Sequence, residues 1–341
     1  MVLDYLPLRE IIKLSMERIA ARYLILALLH LVGFAGSATA DECPGDLNGD
    51  QVVSGGDLGI LLADWGLCTA CPGDLDQSGE VDGSDLGLLL SLWDTTGNSC
   101  PSPSSERFIK RPIGTSYENQ GFWEYLPQGY ESRDEWPLLI FYHGLGENGD
   151  GTFEGLDRIP GNGIPGLLQS DSWPVEQSAI GDEFIILCPQ NSTPNCHDPN
   201  EIDAFLRWSI EEYNVDESRV YMTGISCGAF GVWRYLLVHF DDDLIAAAVP
   251  ICGDGQLTYI VQGCELGELP IWGFHGDADD VIDAQGTIYP MEQLQACTDP
   301  IATDARLTIY PGVGHDSWTQ TYNLSAGYDI YEWLMSHTNP Q

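Results

Sequence analysis

The stretch Arg219-Val220-Tyr221-Met222-Thr223-Gly224-Ile225-Ser226-Cys227-Gly228-Ala229-Phe230-Gly231 decides the fold of this chain. Its first half is an apolar, β-prone run that predicts a strand over Arg219–Gly224. The apolar spacing that follows predicts a helix over Ala229–His239. Between them stands a G-x-S-x-G sequence, the pattern of a serine carried on a sharp strand-to-helix turn. Such a turn leaves no room for side chains two residues either side of the serine, and Gly224 and Gly228 occupy those positions. A bare hydroxyl is a weak nucleophile near neutrality, so a base and an orienting acid are expected elsewhere in the chain.

Working downstream, the order required by this turn is serine, then Asp or Glu, then histidine. After a predicted strand comes Trp272-Gly273-Phe274-His275-Gly276-Asp277-Ala278-Asp279-Asp280. After another comes Tyr310-Pro311-Gly312-Val313-Gly314-His315-Asp316-Ser317-Trp318. His315 is the expected proton acceptor and Asp279 the expected partner of its imidazole, with Asp277 and Asp280 competing for the acid role. His143 and His275 precede glycines at strand ends and read as packing residues, and His337 lies close to the C-terminus. Upstream, His143-Gly144-Leu145-Gly146 follows an early strand. Its backbone, through Leu145 or Gly144, and the N–H of Cys227 are the expected donors to a developing oxyanion. No paired-histidine motif such as H-E-x-x-H occurs, so catalysis is expected to need no metal or other cofactor.

Further strands are predicted at Pro137–His143, Glu183–Cys188, Ala246–Cys252, Pro270–His275 and Ala305–Tyr310. Helices are predicted at Glu201–Tyr213, Pro290–Cys297 and Asn323–Ser336. The alternation predicts an α/β class, a mostly parallel sheet with flanking helices. The segments Phe122–Tyr130, Leu138–Gly149, Gly224–Trp233, His275–Asp279 and Gly314–Trp318 occur in an order that resembles secreted α/β-hydrolase esterases, those related to feruloyl and acetylxylan esterases and polyhydroxybutyrate depolymerases. The resemblance extends over most of residues 107–337. It implies Ser226 as nucleophile, Asp279 as acid, His315 as base, and Leu145 and Cys227 as oxyanion donors. One departure is Cys227-Gly228-Ala229, where many relatives carry Met-Gly-Gly. Trp123 and Trp318 are open to two readings, an aromatic-binding cleft or core aromatics.

The front of the chain holds a repeat. Cys43-Pro44-Gly45-Asp46-Leu47-Asn48 returns as Cys71-Pro72-Gly73-Asp74-Leu75-Asp76, at a period of 74 − 46 = 28 residues. In the first copy Asp46, Asn48, Asp50, Val52, Ser54 and Asp57 occupy positions 1, 3, 5, 7, 9 and 12 of a calcium loop. In the second, Asp74, Asp76, Ser78, Glu80, Asp82 and Asp85 do so. Leu58, Leu61, Leu62 and Trp65, and then Leu86, Leu89, Leu90 and Trp93, follow at helical spacing. The stretch resembles a type I dockerin module, which implies a small all-α domain, two structural Ca2+ sites and a cohesin-type protein partner. Gly55-Gly56 and Gly83-Ser84 stand where that family commonly carries a Ser-Thr pair.

Composition sets the outer bounds. Against 13 Lys and Arg stand 52 Asp and Glu, a formal charge of -39, which repels nucleic acid and anionic lipid. Lys13, Arg18 and Arg22 precede an apolar run from Leu24 to Phe34 and an Ala38-Thr39-Ala40 cleavage pattern. The expected organisation is a signal peptide at 1–40, a dockerin-like module at 41–100, a linker at 101–106 and a catalytic domain at 107–341, secreted and free of the membrane after cleavage. All ten cysteines lie beyond Ala40, which predicts disulfides. Cys43–Cys68 and Cys71–Cys100 are expected within the repeats, and Cys188–Cys196 and Cys252–Cys264 are attractive on loop length. Three functions fit these features. The first is a serine esterase acting on acetyl or feruloyl esters of plant polysaccharide. The others are a serine peptidase of the same fold and a non-catalytic calcium-dependent adhesion or scaffold component.

Overall fold

The computed structural model describes residues 45–48, 53–67, 71–76, 78–93 and 104–339. The chain divides into two compact units, Met1–Cys100 and Pro101–Gln341. The expected signal segment, Cys43, Asp50, Val52, Cys68, Cys100 and linker residues 101–103 lie outside the described residues.

In the N-terminal unit the strands β1 (Gly66–Leu67) and β2 (Glu80–Val81) pair antiparallel between two nine-residue helices, Gly55–Ala63 and Gly83–Ser91. The expected all-α domain therefore carries a short ladder as well. Each helix begins with a capping box, Ser54 with Asp57 and Asp82 with Asp85, which satisfies N–H groups of the first turn. Val53, Leu61, Val81 and Leu89 form its buried core, two equivalent positions from each repeat. Leu62, Trp65 and Leu90 were expected on the packed face but are about half exposed.

The second unit is built on eight strands: β3 (Phe108–Arg111), β4 (Phe122–Tyr125), β5 (Trp136–Tyr142), β6 (Ile185–Pro189), β7 (Val215–Ile225), β8 (Ala247–Ile251), β9 (Ile271–Gly276) and β10 (Ala305–Tyr310). Their spatial order is β10-β9-β8-β7-β5-β6-β4-β3. All neighbours from β10 to β6 run parallel, while β4 and β3 are antiparallel. Parallel strands covered on both faces need side chains that are apolar in both directions, and β5 is buried at every position. Leu139 and Phe141 enter the core on one face with Ile186 and Tyr221. Leu138, Ile140 and Tyr142 enter the other with Leu187 and Met222.

The predicted strands and the helices Pro199–Glu212 and Cys227–His239 agree with the structure to within a few residues. The helix expected from Pro290 runs instead over Gln285–Gln295 with Pro290 inside it. The helix expected over Asn323–Ser336 is two short ones, Trp318–Tyr322 and Ile330–Met335, parted where Leu324 and Gly327 take positive φ. Ser104–Ser105, expected in the linker, belongs to a helical turn. The Ser104 hydroxyl donates to the Leu168 carbonyl at 2.9 Å, and the Ser105 N–H to Asp171 Oδ1 at 2.8 Å. Among the described residues no helix is long and apolar enough to cross a membrane.

Candidate active site

Ser226 sits between β7 and the helix Cys227–His239 with φ 49° and ψ -114°, a conformation that side chains other than glycine adopt only under strain. The flanking glycines are required by backbone contact. A Cβ on Gly228 would lie 1.9 Å from the Tyr142 carbonyl oxygen, and one on Gly224 would lie 2.6 Å from the Gly228 carbonyl carbon. The Ser226 N–H donates to the Ile251 carbonyl at 2.9 Å, which ties the turn to the end of β8.

The loops after β9 and β10 bring two more groups to this turn. Ser226 Oγ lies 2.9 Å from His315 Nε2, and His315 Nδ1 lies 2.7 Å from Asp279 Oδ2. Oδ1 of Asp279 accepts the N–H groups of Val281 at 2.8 Å and Ile282 at 3.0 Å. Burial alone would raise the Asp279 carboxyl, but the hydrogen bonds from His315, Ile282 and Val281 hold it below the ordinary carboxylate range. Asp277 is exposed and accepts the Gly312 N–H, and Asp280 is exposed, so neither reaches His315.

His275, expected to be a packing residue, is a fourth member of this network. Its Nε2 lies 3.1 Å from both Asp279 Oδ2 and the Ile282 carbonyl, and its Nδ1 lies 2.8 Å from Thr287 Oγ1. A carbonyl can only accept, so Nε2 carries the proton and Nδ1 accepts from Thr287. Burial lowers the imidazole below its usual range and keeps it neutral.

The expected oxyanion donors each open a helix. Leu145 begins the 3-10 turn Leu145–Glu147, and Cys227 begins the helix after the serine. First-turn N–H groups have no intrahelical acceptor, and among the described residues no other backbone acceptor takes either of these. A Cβ on Gly144 would come 3.8 Å from Ser226 Cβ, so this loop lies against the serine. Leu145 also borders an open hollow of about 570 Å³, lined with Asn195, Cys196, Glu201 and Arg234. Trp318 stands edge-on to His315 at 5.3 Å between ring centroids. Trp123 is core, its Nε1 donating to the Leu156 carbonyl.

In the second unit the cysteine pairing differs from expectation. There Cys196 bonds Cys227 and Cys264 bonds Cys297, and Cys188 and Cys252 are buried free thiols. Cys188 ends a central strand with its side chain in the core, where it cannot reach Cys196. Cys71 is disulfide-bonded.

No protein-family model matches the chain. A bifunctional acetylxylan esterase/xylanase of Neocallimastix patriciarum is 26% identical over 159 residues, 44% of this chain and 20% of that protein. A solved thermostable esterase superposes with TM-score 0.53 at 23% identity, covering 69% of this chain and 64% of the other. The fold is shared with that solved esterase, a mostly parallel sheet with flanking helices of the kind seen in α/β-hydrolases. The chain thus spans a fifth of its curated relative and under two thirds of the solved esterase. Within an α/β-hydrolase sheet, ligands meet the carboxyl ends of the parallel strands. Ser226, Asp279 and His315 follow β7, β9 and β10 at that edge.

In the N-terminal unit the second repeat gathers carboxylate oxygens of Asp74, Asp76 and Asp85 within 4.8 Å of one another. Asp74 Oδ1 is buried with no hydrogen-bond partner, as a ligand oxygen aimed at a cation would be. Gly79 supplies the positive φ, 88°, that the sixth loop position needs. Ser78 accepts at its hydroxyl and donates to the Glu80 carbonyl, and Asp82 caps the following helix. In the first repeat Asp57 accepts the N–H groups of Asn48 and Ser54, as Asp85 accepts those of Asp76 and Asp82. Asp46 belongs to the same loop, whereas Asp50 and Val52 lie outside the described residues.

Proposed function

We propose that the chain is a serine esterase that hydrolyses carboxylic esters through an acyl-enzyme. The observation that carries this reading is the unbroken line of hydrogen bonds from Ser226 Oγ through His315 to Asp279. His315 Nδ1–H donates to Asp279, which leaves Nε2 free to take the Ser226 proton as Oγ attacks the ester carbonyl. The N–H groups of Leu145 and Cys227 receive the developing oxyanion. His315 then returns the proton to the departing alcohol, and water repeats the sequence on the acyl-enzyme. No metal is needed at any step.

Acetyl or feruloyl esters on plant polysaccharide are the preferred substrates. The similarity to an acetylxylan esterase supports this, and Asn195, Glu201 and Arg234 in the hollow beside Leu145 could bond the hydroxyls of a sugar. Secretion is supported by the disulfides Cys196–Cys227 and Cys264–Cys297. The N-terminal unit is read as a dockerin-like attachment module holding structural Ca2+, with a cohesin-type protein as its partner. Asp74, Asp76, Ser78, Glu80, Asp82 and Asp85 would hold one ion, and the corresponding residues of the first repeat the other.

The test is hydrolysis of p-nitrophenyl acetate, methyl ferulate and acetylated xylan by the full chain and by Ser226→Ala, in the presence of EDTA. Activity abolished only in the variant is expected. Wild-type protein that is folded yet inert towards all three would overturn the esterase reading.

A further inference from the structure

The two oxyanion donors come from segments far apart in the chain, the loop after β5 and the start of the helix after β7. Between them runs the segment from Gln190 to Asp198, and it holds both. On one side the disulfide Cys196–Cys227 attaches it to the residue that follows the nucleophile, with Cα atoms 4.9 Å apart. On the other side it is bonded to the Leu145 loop at several points. The Asn191 N–H donates to His143 Nε2 at 2.9 Å, and the Gly149 N–H donates to the Asn191 carbonyl at 3.1 Å. Gln190 Nε2 donates to the Glu147 carbonyl at 3.0 Å, and Asn148 Nδ2 to the Thr193 carbonyl at 2.7 Å.

The residue beside the disulfide completes the attachment. His197 Nε2 donates to the His143 carbonyl at 3.1 Å, and the two rings meet edge-on at 4.7 Å between centroids. A backbone N–H can only donate, so the bond from Asn191 fixes His143 Nε2 as acceptor and leaves Nδ1–H to donate to the Gly144 carbonyl, 2.6 Å away. That last bond holds the carbonyl of the same peptide group that carries the Leu145 N–H. The helix carrying Cys227 is pressed against the same segment, since a Cβ on Gly231 would lie 2.9 Å from His197 Cβ. The second disulfide, Cys264–Cys297, joins the 3-10 turn Gly263–Glu268 to the end of the helix Gln285–Gln295 and touches none of these groups.

We propose that the Cys196–Cys227 disulfide and the 190–198 segment form a clamp that fixes the separation of the Leu145 and Cys227 N–H groups, making hydrolysis depend on the oxidised state of this one disulfide. The inference rests on the serine-esterase reading above. An oxyanion hole acts because its donors are already in place when charge develops. Loosening one donor relative to the other weakens transition-state stabilisation and leaves ground-state binding largely intact. Deleting a donor outright costs about 100- to 1,000-fold in kcat. Loosening one is expected to cost roughly 10-fold.

The experiment compares full-length wild type, the double variant Cys196→Ala/Cys227→Ala and the control Cys264→Ala/Cys297→Ala, with p-nitrophenyl acetate as substrate. The first variant is expected to lose about 10-fold in kcat with KM within twofold. Its affinity for a trifluoromethyl ketone, which adds to a serine as a tetrahedral oxyanion, should fall in step. The control should keep kcat and lose thermal stability only. Should the first variant fail to fold, graded reduction of the native chain replaces it. Dithiothreitol supplies two electrons and two protons and leaves as its cyclic disulfide, while the protein bond becomes two thiols. Loss of kcat should then follow opening of Cys196–Cys227, quantified by mass spectrometry, and reverse on reoxidation. The clamp is overturned if kcat survives without the bond, if KM rises instead, or if activity follows Cys264–Cys297. Wild-type protein lacking Ser226-dependent hydrolysis overturns the esterase reading itself, a result distinct from these.

Discussion

Oδ2 of Asp279 accepts two imidazoles at once, His315 at 2.7 Å and His275 at 3.1 Å. With Oδ1 taken by two backbone N–H groups, the carboxylate is held from four directions and cannot rotate away from His315. His275 touches no reacting atom, so its role is to position. His275→Ala is expected to lower kcat about 10-fold with KM unchanged, the split that marks a loss felt only in the transition state. His275→Gln, which keeps an N–H donor, should recover most of that loss. Steady-state kinetics of both variants decide it, and equal loss in the two would point to packing alone.

Gly228→Ala places a methyl group 1.9 Å from the Tyr142 carbonyl oxygen. Backbone cannot yield there without parting β5 from the Ser226 turn. We expect destabilisation on the order of 3 kcal/mol or more, read as a lower urea midpoint and a loss of soluble protein.

Two buried histidines beneath the loop that carries Leu145 make the fold sensitive to acid. Burial lowers His143 to about 4 and His197 well below its usual range. The unfolded chain takes up these protons near the ordinary value of about 6.5. Both groups therefore favour the fold above that pH, and their contribution falls as pH drops towards the folded value. For His143 alone the loss reaches about 3 kcal/mol by pH 4. Urea unfolding at pH 7 and pH 4 measures it, and a flat profile across that window would count against buried neutral imidazoles.

Cys188 and Cys252 are expected to resist iodoacetamide in the native chain and react on unfolding. Burial raises both thiols, Cys252 to about 12, and only the thiolate is nucleophilic. Peptide mapping of native and denatured samples provides the check.

Calcium should raise the unfolding temperature of the N-terminal unit, because a ligand that binds only folded protein stabilises it by mass action. Asp74→Ala/Asp85→Ala should reduce the effect, and EGTA should leave ester hydrolysis unchanged. Differential scanning calorimetry with added CaCl2 tests the first point. Hydrolysis that falls with EGTA would tie the metal to catalysis instead.

Much of this architecture is legible in the chain. Strands buried on both faces are continuous apolar runs, so β5, β6, β8, β9 and the second half of β7 can be read directly, while β10 is buried at only two of its six positions. The four-residue strands β3 and β4 are too short for a periodicity signal, and β3 is partly exposed at three of its positions. Ser226, Asp279 and His315 are legible because a serine on a strand-to-helix turn constrains what must follow it. His275 was hidden, since its partner stands four residues on, across a loop that doubles back on itself. Disulfide pairing by loop length failed because it ignored direction. Cys188 and Cys252 end strands with their side chains in the core, while Cys196 lies in the loop packed on the helix that Cys227 begins.

The glycines beside Ser226 also bear on how this chain can change. Any side chain at position 224 or 228 meets backbone, so mutational drift and laboratory libraries alike find those two positions closed. Diversity must enter through neighbours whose side chains face open space. Leu145, more than half exposed at the mouth of the hollow, is one of them. If the proposed esterase activity holds, a screen for new ester preferences would begin there, where a changed side chain need not disturb Ser226, His315 and Asp279.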